Sequence, residues 1–132
     1  MPDFIYPALE HLATAVIALD EYSRIFYLNP AAENLFALSG NNLIGCEIHQ
    51  AFTQTGQLDA AMRQALDNNA SYTEHDLTLG THAHGRIHLR CTATPLLLDK
   101  RYLLLEFHTI DRSLKLAREE QMLGQTQANR LL

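Results

Sequence analysis

Two rhythms of apolar and polar positions run along this 132-residue chain, and the change from one to the other marks its elements. Ala15 to Leu19 and Ile25 to Leu28 are short runs of β-branched, aromatic and aliphatic residues. The polar link Asp20-Glu21-Tyr22-Ser23-Arg24 has hairpin length, so the pattern predicts two antiparallel strands. Asn29-Pro30 then predicts a helix start, because the asparagine side chain accepts from an orphan amide while proline brings a preset φ. That helix is expected over 30–38, with Ser39-Gly40 ending it. Asn41 or Asn42 caps one further turn, which sets Leu43 and Ile44 against the sheet before Gly45 breaks the chain. Cys46 to Phe52 reads as one short irregular helix with Ile48 and Phe52 on one face. Gly56 to Asn69 is the clearest helix, since Leu58, Met62, Ala65 and Leu66 recur at helical spacing.

From Ser71 the period shortens to two. Tyr72 to Leu79, Arg86 to Pro95 and Arg101 to Thr109 read as three strands separated by short links, which predicts an antiparallel meander. In the middle run Ile87, Leu89, Cys91 and Ala93 point one way and His88, Arg90, Thr92 and Thr94 the other, giving a core face and a wet face. The last run is apolar at both parities, with Leu103, Leu104, Leu105 and Phe107, so its outer face is expected to be covered by a helix or a second subunit. Phe4, Ile5, Leu9 and Leu12 share one side of a short helix within 1–13, and Asp111 is a good N-cap for a helix over 112–132. The expected fold is α+β: a five-stranded antiparallel sheet over 14–110 with helices on one face, flanked by helical segments over 1–13 and 111–132. The charged, Gln-rich terminal segment has no stop signal, as in a fragment of a longer protein.

The order LD-turn-I-x-Y-x-NPAAE-x-LF-x-LS-x-x-x-LIG, from Leu19 to Gly45, resembles the front half of a PAS domain, the sensor module of many bacterial signalling proteins. The strand, helix, strand order of the remainder agrees with that resemblance. It implies the PAS fold, a flanking N-terminal helix against the outer sheet face or a partner, and a C-terminal signalling helix. Ile110-Asp111-Arg112 looks like the Asp-containing tripeptide at the head of such a helix. One departure stands in the first hairpin, where the family usually has glycine and this chain has Ser23.

Composition narrows the function classes. The net charge is −5 with no basic stripe, which argues against phosphate-backbone binding. The longest apolar runs, Pro95 to Leu98 and Tyr102 to Leu105, fall far short of a membrane span, and the first twenty residues carry no Lys or Arg before an apolar segment, so a cytoplasmic location is expected. Cys46 and Cys91 sit far apart in different apolar settings and read as two reduced core thiols.

Candidate chemistry is sparse. His82, His84 and His88 invite a metal reading, but His84 and His88 on an extended strand lie ~13 Å apart, too far for one ion, and no metal is expected. Haem-binding PAS domains usually present a histidine from the long central helix, and 57–69 holds none. Flavin-binding photosensory PAS domains flank their cysteine with Asn and Arg, whereas Gly45 and Glu47 flank Cys46, so neither haem nor flavin is expected. There is no nucleophile elbow, P-loop, CxxC or HExxH, and Glu33, Glu47, Asp59 and Asp67 lie mostly on wet faces, so no catalytic residue is assigned. The space where PAS ligands sit would be lined by Ile17, Leu35, Phe36, Leu43, Ile44, Ile48, Phe52, Leu66, Leu89, Cys91 and Leu105, with Tyr27, Asn29 and Arg90 as polar additions. A small molecule there is unidentified, and plain core packing is the competing account.

The run HTIDRSLKLAREEQMLGQTQANRLL, from His108 to Leu132, closely resembles the stretch linking the PAS domain to the phosphoacceptor region in NtrB-type nitrogen-regulation sensor histidine kinases. The resemblance implies a cytoplasmic homodimeric kinase and phosphatase that acts on an NtrC-type response regulator and takes its nitrogen signal through the PII protein. No histidine here matches the phosphoacceptor, so this stretch alone is expected to lack kinase activity. The dimer is expected to use Phe4, Ile5, Leu9, Leu12, Leu104, Leu116 and Leu123. Two rival readings remain: a PAS domain from a cyclase or an enhancer-binding activator, and a small α+β enzyme with an apolar cavity. The sequence downstream discriminates the first, and a buried carboxylate or Tyr pair facing the cavity the second.

Overall fold

A computed structural model describes residue 10 and residues 12–110 of the chain. The helices expected in the flanks therefore lie outside the described residues, apart from Glu10, Leu12 and Ala13. Strands β1 (Ala15–Leu19) and β2 (Ile25–Leu28) form the first hairpin. Helices α1 (Pro30–Phe36), α2 (Gly40–Leu43) and α3 (Ile48–Ala51) follow, then β3 (Phe52–Gln54) and the long α4 (Gly56–Asn68). The chain closes with β4 (Tyr72–Thr81), β5 (Gly85–Leu97) and β6 (Arg101–Thr109). The six strands form one sheet in the order β2-β1-β6-β5-β4-β3, every neighbouring pair antiparallel. The meander of the last three strands is as expected from their short links. That β1 sits beside β6, with Ile17 opposite Leu105, brings the two ends of the domain together.

The expected five strands are corrected to six. The helix expected over 46–52 ends at Ala51, and Phe52 instead opens β3, pairing with Thr81. Only Phe52 of β3 is buried, so the three-residue edge strand has no alternation by which its sequence could announce it. Gly80 makes the pairing feasible: a Cβ there would lie 2.4 Å from Thr53 Oγ1 and 2.8 Å from the Gln54 nitrogen. Helix α1 is also shorter than expected, because Ala37 turns left-handed at φ 52 and its N–H closes on the Glu33 carbonyl. Ser39, rather than Asn41 or Asn42, stands at the N-cap of α2.

Asn29 caps α1 as its sequence position implies, accepting from Ala32 N at 3.0 Å. The first hairpin is closed by Asp20, whose Oδ1 accepts from Tyr22 N and Arg24 N, both at 2.9 Å. Ser23 takes φ 62, the conformation that glycine adopts without cost. The alternation of β1, β5 and β6 sorts their residues by face. Ile17, Leu19, Leu89, Cys91, Ala93, Leu103, Leu105 and Phe107 join Ala32 and Phe36 of α1 and Leu58, Ala61 and Ala65 of α4 in one continuous core. Phe36 is its centre, edge-to-face with Phe52 and with Phe107 at 5.1 Å each, pairs that contribute about 0.5–1.5 kcal/mol apiece beyond burial.

Candidate functional site

Two regions hold the residues that the sequence singles out: the interior between sheet and helices, and the outer face of β2, β1 and β6. In the interior, Ile17, Phe36, Ile48, Phe52, Leu89, Cys91 and Leu105 are buried in the same cluster, and Leu35, Leu43 and Leu66 pack against it from its margin. Ile44 is a correction. It is 50% exposed because the chain leaves α2 extended at this residue, φ −60 and ψ 127, and turns it away from the sheet. Tyr27 is another. Opposite Ala18 in the β1–β2 pairing, it falls on the outer parity and packs with Val16 and Ala18 instead. Arg90, on the same parity of β5 as His88, is exposed.

Asn29 is wholly buried and its side chain is spent on the fold. Its Oδ1 accepts from Val16 N at 2.9 Å as well as from Ala32 N, and its Nδ2 donates to the Thr14 carbonyl at 2.7 Å. Among the described residues Thr81 is the other buried polar residue, donating to the Gly85 carbonyl at 2.8 Å and accepting from His84 N. No buried side-chain polar atom among the described residues lacks a partner. The interior is therefore apolar, with its polar groups already satisfied. Cys91, at its centre, is pushed up to about 12, chiefly by burial and then by the Glu106 and Glu74 carboxylates.

Two recesses lie at the C-terminal end of β6. One, of about 320 Å³, lies between Ala13 to Ala15, Ala31, Leu35 and Phe107 to Thr109. The other, of about 460 Å³ and mostly apolar, is bordered by Leu35, His84, Ile87, His88, Leu89, Thr109 and Ile110. Both share Leu35 and Thr109, so they flank the strand end that leads into residue 111.

On the outer face, Val16, Ala18 and Tyr27 are buried, with Phe26 and Leu104 half-buried beside them. Phe26 meets Tyr102 edge-on at 5.0 Å. Tyr27 Oη donates to Glu10 at 2.8 Å, which places Glu10 at this face. Of the residues expected at a dimer contact, Leu104 lies here and Leu12 is 45% exposed. Phe4, Ile5, Leu9, Leu116 and Leu123 lie outside the described residues.

Along β5 the face turns polar. Thr73 and Thr92 hydroxyls are 2.8 Å apart, and Thr78 Oγ1 is 3.2 Å from His88 Nδ1. His82 and His84 sit exposed on the β4–β5 turn. Among the described residues no group of three His, Cys, Asp or Glu is arranged to hold a metal ion. Sequence reading missed the buried pairing of Asn29 with Val16 and the buried Thr81, because a backbone partner leaves no mark on composition.

The family model described as the PAS fold matches residues 4–110. The sensory histidine kinase/phosphatase NtrB of Vibrio alginolyticus is 35% identical over 127 residues, covering 94% of this chain and 35% of that protein. NtrB of Klebsiella oxytoca is 27% identical over 112 residues, covering 85% of this chain and 31% of its own length. The chain thus spans about a third of the length of the relatives it matches. Among solved structures, the PAS domain of nitrogen regulation protein NR(II) from Vibrio parahaemolyticus superposes with a TM-score of 0.66 at 28% identity, covering 79% of this chain and 95% of that one. An RNA-binding light-oxygen-voltage receptor superposes with a TM-score of 0.74 at 14% identity, covering 98% of this chain and 38% of that one, a likeness of fold alone.

Proposed function

This chain belongs to the PAS family, and from that premise we propose that it is the regulatory sensor and dimerisation domain of an NtrB-like two-component histidine kinase in nitrogen regulation. The observation that carries the reading is the 35% identity to NtrB across 94% of the chain. That span exceeds residues 4–110, so the likeness extends past the shared fold into the flanks.

In this reading the domain itself catalyses nothing. It passes a signal to a downstream phosphoacceptor and kinase region that acts on an NtrC-type response regulator. The parent works in the cytoplasm, and no helix among the described residues is long and apolar enough to cross a membrane. The PII protein delivers the nitrogen signal to the transmitter part, leaving this domain to dimerise through its outer sheet face and N-terminal flank and to relay through the chain leaving β6. The interior residues from Ile17 to Leu105 act as a packed relay between helices and sheet. An apolar small molecule, were one to enter, would do so beside Leu35 and Thr109, where the two recesses meet.

A chimera tests this. The corresponding domain of Vibrio alginolyticus NtrB is replaced by this chain, and phosphorylation and dephosphorylation of the cognate response regulator are measured. The expected result is a kinase to phosphatase balance close to that of the native enzyme. A balance no nearer to native than that given by an unrelated PAS domain of equal length overturns the proposal.

A further inference from the structure

His49, the second residue of α3, is gripped from both sides. Its Nδ1 lies 2.5 Å from Glu47 Oε1 and its Nε2 lies 2.7 Å from Asp59 Oδ1. A neutral imidazole carries one N–H and one lone pair, so it donates to one carboxylate and turns a lone pair toward the other. Both contacts attract at once only when the ring carries two protons.

The two carboxylates belong to different parts of the fold. Glu47 forms a backbone bridge with Arg24, and on either side Ile25 N donates to the Cys46 carbonyl and Ile48 N to that of Ser23, at 2.8 and 3.0 Å. The segment carrying Glu47 is thereby fixed to the first hairpin. Asp59 lies in the first turn of α4, where Thr55 Oγ1 donates to its other oxygen at 3.1 Å. One residue before His49, Ile48 is wholly buried, and Phe52, three residues on, is 4% exposed, so the same short segment also closes one wall of the core.

We propose that His49 is a proton-operated fastener: doubly protonated, it ties the segment from Glu47 to Ala51 to the first turn of α4, and it releases that tie when the proton leaves. The groups facing it are Glu47 on its own segment and Asp59 with Thr55 at the start of α4. The cations on these elements are Arg63, one turn beyond Asp59, and Arg24, whose guanidinium lies over the Tyr22 ring at 5.5 Å. The hydrogen bonds with Glu47 and then Asp59 raise the His49 pKa above 6.5, with burial opposing them. A raised folded value means the stabilisation is complete below the unfolded value, near 6.5, and is lost as pH rises through the folded one. Proton uptake thus tightens a wall of the domain at mildly acidic pH, on geometry that does not depend on which kinase the domain serves.

The test is an NMR titration of the histidine ring resonances of the whole chain, with amide exchange at Ile48 and Ala51 followed across the same pH range. His49 is expected to titrate above 6.5, and to move down in both Glu47→Gln and Asp59→Asn. Protection at Ile48 and Ala51, corrected for intrinsic exchange, is expected to fall several-fold as pH rises in the wild type and to stay flat in His49→Gln. A His49 midpoint at or below 6.5, or one that neither carboxamide variant moves, overturns the proposal. So does protection with the same pH dependence in wild type and His49→Gln.

Discussion

Asn29 and Val16 hold one another twice: the Val16 N–H donates to Asn29 Oδ1 at 2.9 Å, and the Asn29 N–H donates to the Val16 carbonyl at 3.1 Å. The same asparagine caps α1 and donates to the Thr14 carbonyl, so one buried side chain locks the start of β1, the end of β2 and the first helix. Asn29→Ala leaves the Val16 amide and the Thr14 carbonyl without their partner inside the fold. The expected cost is about 2–4 kcal/mol, from a lost cap and unsatisfied buried groups. Urea unfolding of the variant against wild type measures it, and a loss below ~0.5 kcal/mol contradicts the account.

Gly80 is expected to be intolerant for a steric reason. Gly80→Ala places a Cβ 2.4 Å from Thr53 Oγ1 and 2.7 Å from Gln54 Cβ. Forcing the edge strand outward costs about 1–3 kcal/mol, and amide protection at Gln54 is expected to vanish before that of β4. Gly85→Ala is the comparison, since a Cβ there meets nothing within 4 Å and its cost comes from φ +65 alone, about 1–2 kcal/mol. Unlike Gly80→Ala, it is expected to leave Gln54 protection intact.

Cys91 gives a pH prediction with a definite sign. The folded thiol, pushed up to about 12, keeps its proton where the unfolded chain, with its value near 9.0, has lost it. Stability from this source is complete below 9.0 and is lost as pH rises from there through about 12, at roughly 1.4 kcal/mol per pH unit. The wild type is expected to lose stability more steeply in alkali than Cys91→Ala. In native protein a disulfide reagent is expected to label the half-exposed Cys46 readily and Cys91 only on unfolding.

The outer face bears on assembly. Leu104 lies beside Val16, Ala18 and Tyr27 on that face, and Leu123 is in the C-terminal flank. Analytical ultracentrifugation is expected to find the wild type dimeric at tens of micromolar and Leu104→Asp shifted toward monomer, with Leu123→Asp weakened as well. A monomeric wild type, or two variants indistinguishable from it, removes this part of the proposal.

Local chemistry by itself determined much of this protein. Period-two runs announced β4, β5 and β6, helical spacing announced α4, and Asn29-Pro30 announced the start of α1, because each signal rests on neighbours in sequence. Leu103 to Phe107, apolar at both parities, announced β6 and its buried inner face of Leu103, Leu105 and Phe107, while Leu104 on the outer face is half-buried. The tertiary structure alone decided the rest. The pairing of β1 with β6 joins residues far apart in the chain, and no local pattern names a distant partner. β3 is too short for its own residues to announce it, and it needs Gly80 to let its backbone approach β4. Ile44 and Tyr27 have core-like side chains, yet one backbone turn and one register position set them outside the interior. His49 meets Asp59 across ten residues only because the fold brings the first turn of α4 beside it. Hydrophobicity chose which residues were to be buried, and only the assembled sheet chose against what.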